Sequence, residues 1–154
     1  MASNRANYRY LLDTNVILYL HDYKDAVRQM RALEIINRLA AGKTAALPAQ
    51  ALAEFSSVAL RKFTASMDAN FIYSQVEGLT RSFPVLPLTP EVVLEALRGV
   101  RDHSFAYYDA QIWAVAKLHQ IPVLLSEDFN SGSEIDGVTF VNPFENTFDL
   151  TTLL

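Results

Sequence analysis

Tyr8–Asn15 reads YRYLLDTN, an apolar run that stops on Asp13 and is followed by two small polar residues, Thr14 and Asn15. The pattern recurs late in the chain, where Val123, Leu124 and Leu125 run into Ser126, Glu127 and Asp128. Two short strands, each tipped by a carboxylate, suggest that acids from distant segments meet at one edge of a sheet. Parallel sheets bind ligands outside the carboxyl ends of their strands, where neighbouring connections diverge. Several carboxylates gathered there repel one another unless a cation sits between them. The chemistry implied is that of a metal-dependent enzyme.

The individual positions differ in how sharply they point there. Asp13 or Thr14 would equally serve to cap a following short helix. Asp109 is more diagnostic, because its segment is apolar apart from Asp109, Gln111, Lys117 and His119. At helical spacing Asp109 shares a face with Ile112, Trp113 and Ala116, a costly place for a carboxylate unless it is paired or ligates a metal. A first-turn acid favoured by the helix dipole would explain its tolerance but not its face. Glu54 groups on the wheel with Gln50, Ser57 and Arg61, which reads as a solvated face. Glu127 rivals Asp128, and either would also suit the turn that Asn130, Ser131 and Gly132 announce.

Other residues carry less. His21, His103 and His119 have no zinc-like spacing and read as surface or capping residues, with His103 a faint candidate near Asp109. Trp113 and the other aromatics read as core. Arg61, Lys62, Arg98 and Arg101 would suit a phosphate track or an ordinary solvated face. No glycine-rich phosphate loop, GxSxG elbow or Ser/His/Asp arrangement is present.

The elements that must position these acids alternate between strand and helix. Strands are expected at Tyr8–Leu12, Thr44–Leu47, Phe83–Leu86, Val123–Leu125 and Val138–Val141. Helices are expected at Lys24–Ala41, Ala49–Phe63, Ala69–Arg81, from Thr89 to about Arg101, and at Tyr107–His119. The first helix would bury Val27, Met30, Leu33 and Ile36 and end at Gly42; the second would bury Leu52, Phe55, Ala59 and Phe63. Thr89-Pro90-Glu91 is a helix start, with Thr as cap, Pro at the first position and an acid in the first turn. Five strands separated by helices argue for a mostly parallel sheet covered on both faces.

Composition narrows the class. The length suits one domain over residues 1–154, and 51% hydrophobic against 19% charged residues supply a sizeable core. No apolar run is long enough to span a bilayer, and the N-terminal MASNRANYRY has no apolar leader, so a cytoplasmic protein is expected. The chain has no cysteine, which excludes disulfides, thiol catalysis and thiolate metal sites. The net charge of −4 shows no global basic footprint for a nucleic acid. Setting aside the four acids at 13, 54, 109 and 128 leaves acids and bases equal in number, so a bound cation would leave little net charge.

Taken in order, LLDTN at Leu11–Asn15, ALAEF at Ala51–Phe55, SFAYYDAQIWAVA at Ser104–Ala116 and LLSEDF at Leu124–Phe129 resemble the PIN-domain family. The closest likeness is to the VapC-type toxins of bacterial toxin–antitoxin systems. The resemblance implies an α/β/α sandwich around a parallel sheet of about five strands, and a metal-dependent endoribonuclease using Mg²⁺ or Mn²⁺. The family's acids fall on Asp13, Glu54, Asp109 and Asp128, which restores Glu54 and prefers Asp128 to Glu127. Its small polar helpers fall on Asn15 and Ser126, where threonine is commoner. It further implies an RNA substrate, a small antitoxin partner and a homodimer. The competing readings are a free-standing PIN nuclease and a PIN-like module that binds RNA or protein without cutting. A phosphatase of the haloacid dehalogenase type is disfavoured, because it needs a second aspartate where this chain has Asn15.

Overall fold

The computed structural model describes residues 7–63 and 67–153, so most of the N-terminal stretch MASNRANYRY read above lies outside the described residues. In chain order the elements are β1 (Tyr10–Leu12), α1 (Thr14–Tyr19), α2 (Ala26–Gly42), β2 (Ala45–Pro48), α3 (Ala49–Lys62) and α4 (Ala69–Ser82). They continue with β3 (Val85–Leu86), α5 (Pro90–His103), α6 (Tyr107–Leu118), β4 (Val123–Leu125), β5 (Glu134–Ile135), β6 (Val138–Val141) and a 3₁₀ turn at Leu150–Thr152.

The sheet has six strands in the order β3-β2-β1-β4-β6-β5 and is parallel except for β5 against β6. The sixth strand is an addition to the five expected. It forms because Asp136 and Gly137 both take positive φ, 51° and 85°, closing a two-residue hairpin whose sense matches strand twist. Because the chain moves outward from β1 to β2 and β3, then returns on the other side as β4, the connections diverge between β1 and β4.

Alternation along the strands splits the apolar side chains between two faces. Tyr10, Leu12, Ala45, Leu47 and Leu125 face the core built with α1 to α4, whereas Leu11, Ala46 and Leu124 face the core built with α5 and α6. The result is an α/β/α sandwich. Helix α6 is buried around its circumference from Ala110 to Ala116, and α5 comes so close to it that a Cβ on Gly99 would lie 2.7 Å from the Trp113 ring. The Thr89 hydroxyl accepts from the Val92 N–H at 3.2 Å, with Pro90 opening α5 as expected.

Two core expectations change. In α2 the buried residues are Ala32, Ile35, Ile36 and Leu39, while Val27, Met30 and Leu33 are 79%, 69% and 48% exposed. Steps of three residues each slip back by roughly 60° on a helix, so the expected set spans half its circumference; alternating steps of three and four keep to one side. Gly42 is the last helical residue, and Lys43 instead takes the left-handed conformation, φ 54°. His21 is not a surface residue: it is buried beside Phe55. The segment after Pro143 returns Phe144, Phe148 and Leu150 to the α1–α4 core, and Arg31 donates to the carbonyls of Pro143, Glu145 and Phe148. Among the described residues no helix is long and apolar enough to cross a membrane.

Candidate metal centre

β1 and β4 pair in register, Leu12 opposite Leu125, so that both strands end at the same level. The residues that follow, Asp13 on one and Ser126 to Asp128 on the other, therefore enter the crevice together. Asp13 is also the cap of α1, its Oδ1 accepting from the Thr14 N–H at 2.6 Å. The cap reading and the site reading of this residue describe one geometry: the bond that starts α1 also aims the carboxylate. Asp109 arrives from the opposite layer, in the first turn of α6.

One carboxylate oxygen each from Asp13, Asp109 and Asp128 lies within 4.8 Å of the others. Ser126 and Asn15 join two of these acids. The Ser126 hydroxyl donates to Asp13 Oδ2 at 2.6 Å and accepts from the Asp128 N–H at 3.0 Å. Asn15 Nδ2 bridges Ser126 Oγ and Asp128 Oδ2, each at 3.2 Å. Glu127 turns away, accepting from the Tyr19 hydroxyl and lying 3.6 Å from Arg28.

Glu54 stands outside the tight group but borders it. Its Oε2 accepts from the Thr14 hydroxyl at 2.9 Å and its Oε1 from Gln50 Nε2 at 2.6 Å. The face of α3 carrying it is not simply solvated, because Gln50 is buried against α6, where it contacts Gln111. The wheel misplaced this face because it counts only apolar side chains. Thr14, Gln50 and Gln111 are the site neighbours that sequence reasoning did not single out. The available signal was Gln111, a polar residue within an otherwise apolar helix.

Burial pushes the Asp13 carboxyl up to about 7; the nearby Asp128 and Asp109 add to the rise, while hydrogen bonds from Ser126 and Thr14 oppose it. Burial also raises the Asp109 carboxyl, with Asp128 and Glu54 contributing. Among the described residues no Lys, Arg or His forms an ion pair with any of the four acids. An all-oxygen donor set that suffers from its own charge fits a hard divalent cation. Of the candidates named above, Arg98 pairs with Glu95 and Arg101 with Asp102, His103 Nε2 lies 3.4 Å from Asp136, and Lys62 lines a cavity with Asn15 and Glu127. Arg61 does line a cavity of about 670 Å³ that opens beside Glu54 and Tyr108.

Among curated proteins, none matches this sequence. Solved structures do share the fold. A toxin–antitoxin complex from Klebsiella pneumoniae superposes with a TM-score of 0.65 at 18% identity, over 88% of this chain and 98% of that one. VapC20 of Mycobacterium tuberculosis, a toxin described as cleaving the sarcin-ricin loop, gives 0.62 at 19% identity, over 82% of this chain and 97% of that one. FitAcB from Neisseria gonorrhoeae gives 0.62 at 20% identity, over 88% and 98%. A family model described as the PIN domain matches residues 10–132, the stretch containing all four acids and the strand tips that carry them, and the chain belongs to that family.

Proposed function

We propose that this protein is a Mg²⁺-dependent endoribonuclease acting as the toxin of a toxin–antitoxin pair. The observation that carries the reading is the convergence of Asp13, Asp109 and Asp128 within 4.8 Å at the edge of a parallel sheet, without a counter-ion among the described residues. Membership of the PIN family and likeness in fold to toxin–antitoxin structures support it.

Asp13, Asp109 and Asp128 would hold the cation, Mg²⁺ or Mn²⁺. Bound there, a divalent cation activates water and neutralises charge on the phosphate. Ser126 and Asn15 keep the Asp13 and Asp128 carboxylates aimed at a common point, the role usual for groups behind a metal's ligands. Glu54, at the border of the group, orients the attacking water. Hydrolysis then forms one P–O bond from water and breaks the bond to the leaving ribose oxygen, which takes up a proton. A partner antitoxin and a second copy of the chain would cover apolar side chains that the fold leaves exposed, such as Val27 and Met30 on α2 and Leu94 and Leu97 on α5.

Incubation of the purified protein with RNA in Mg²⁺ or Mn²⁺, beside an EDTA control, tests the reading. Cation-dependent cleavage abolished by EDTA is the expected result. Metal binding without cleavage would instead identify a silent RNA- or protein-binding module, and cleavage that no protein encoded in the neighbouring reading frame suppresses would identify a free-standing nuclease.

A further inference from the structure

Two glutamines are buried beside the acids, Gln50 at 9% and Gln111 at 4% exposed. Gln50 Nε2 donates to Glu54 Oε1 at 2.6 Å and to the Tyr108 carbonyl at 3.1 Å, while Gln50 Oε1 accepts from Gln111 Nε2. Both amide hydrogens of Gln50 are thus used, and its oxygen has a donor. Turning the amide over would set its oxygen against a carboxylate and a carbonyl. Gln111 opposes that turn, because its N–H can be accepted only by the oxygen.

One partner of Glu54 and one partner of Gln50 are adjacent in sequence to two of the acids at the crevice, Asp13 and Asp109. Thr14, which holds Glu54 Oε2, immediately follows Asp13; Tyr108, whose carbonyl anchors Gln50, immediately precedes Asp109. Glu54 is therefore tied on one oxygen to the end of β1 and on the other, through Gln50, to the start of α6. A carboxylate has about four acceptor sites, so lone pairs remain for a water.

The geometry points to Gln50, backed by Gln111, as a positioning residue that holds Glu54 in register with Asp13, Asp109 and Asp128 so that Glu54 can orient the attacking water. This assignment rests on the nuclease reading. Its alternative is a buried amide pair that merely joins α3 to α6.

The two differ in the double variant Gln50→Leu/Gln111→Leu. Gln50→Leu leaves the buried Gln111 amide without its acceptor, and adding Gln111→Leu removes that cost, while Glu54 and the Tyr108 carbonyl lack the Gln50 amide in both variants. A joining pair would therefore regain stability and turnover together in the double variant relative to Gln50→Leu. A positioning pair regains that stability without turnover. Thermal midpoint, Mn²⁺ affinity by paramagnetic resonance, and kcat and KM on an RNA oligonucleotide are the readouts. We expect Gln50→Leu and the double variant to lower kcat about 10- to 100-fold. KM and the Mn²⁺ dissociation constant should stay within about threefold, since only the reacting arrangement is disturbed. Wild-type kcat in the double variant overturns the assignment. Should these variants not fold, NMR of the side-chain amides of the unaltered protein decides: slow exchange of the Gln50 amide protons, lost in Glu54→Gln, is expected, and rapid exchange in the unaltered protein overturns it. Mn²⁺ binding without RNA cleavage by the unaltered protein overturns the nuclease reading itself, and this assignment with it.

Discussion

Asp13 and Glu95 are the two acidic side chains buried among the described residues, 3% and 5% exposed, and their surroundings treat them in opposite ways. Burial pushes Asp13 up to about 7, with Asp128 and Asp109 adding to the rise. Glu95 is held below its ordinary value, first by the hydrogen bond from Lys117, with Arg98 assisting. Lys117 Nζ lies 2.5 Å and Arg98 Nη1 2.6 Å from the Glu95 carboxylate, so this acid joins α5 to α6 as a satisfied ion cluster. Burial alone disfavours a carboxylate, and a cation in contact reverses that. One region of the molecule supplies its acid with cations, whereas the strand-tip crevice supplies hydroxyls, amides and more acids. The second arrangement is costly to the fold, which is what a site left for an external cation would require.

The largest effect that would break this contrast is on turnover. Asp109→Asn should lower RNA cleavage by on the order of 10³-fold or more. Since it removes one charge from a repulsive group and, among the described residues, no hydrogen bond to the Asp109 side chain is present, the metal-free protein should melt a few degrees higher at about pH 8. Retained cleavage, or a fall in melting temperature, would count against Asp109 as part of the group. The opposite pairing of effects is expected at the other acid. Lys117→Met should cost about 1–3 kcal/mol in denaturant unfolding, because Glu95 loses its main partner while keeping Arg98, and cleavage should be unchanged.

Proton binding sharpens the comparison further. Between 3.8 and about 7 native Asp13 keeps a proton that the unfolded chain has released, so its contribution to stability falls as pH rises through that window. The support from Glu95 is complete above its ordinary value of 4.5 and is lost as pH drops below it towards the depressed native value. The metal-free protein should therefore melt highest where the two windows meet, between pH 3.8 and 4.5, and lose stability from there towards neutrality. Saturating Mn²⁺ should flatten the alkaline limb, since the cation favours the deprotonated acids. A melting temperature that rises steadily from mildly acid to neutral pH without metal would contradict the assignment of Asp13. The smallest effect belongs to the exposed side of α2, where Met30→Glu should shift stability by no more than about 0.5 kcal/mol; a loss several times larger would return that side chain to the core.

Much of this arrangement was legible because it is local. The apolar runs before Asp13 and Ser126 marked the central strands, and Thr89-Pro90-Glu91 marked the start of α5. The two-residue strand β5 escaped because it is too short for a period, although Asp136-Gly137 is a hairpin signal. The exposed side of α2 was misjudged because several apolar sets were available, and only packing against β1 and β2 selects among them.

By itself the sequence determined where the strands end and that each central one ends in a carboxylate, because apolar runs and the polar residues that stop them are written in neighbouring positions. Through resemblance it also pointed to Asp13, Glu54, Asp109 and Asp128 as a set, of which the fold brings Asp13, Asp109 and Asp128 within 4.8 Å of one another. Tertiary structure alone decided that Glu127 turns to Tyr19 and Arg28 while Asp128 turns to Asn15, and that Glu54 hangs between Thr14 and Gln50. Those outcomes depend on the register of β1 with β4 and on how α3 meets α6. They are distances between residues far apart in the chain, and no spacing along the chain encodes them.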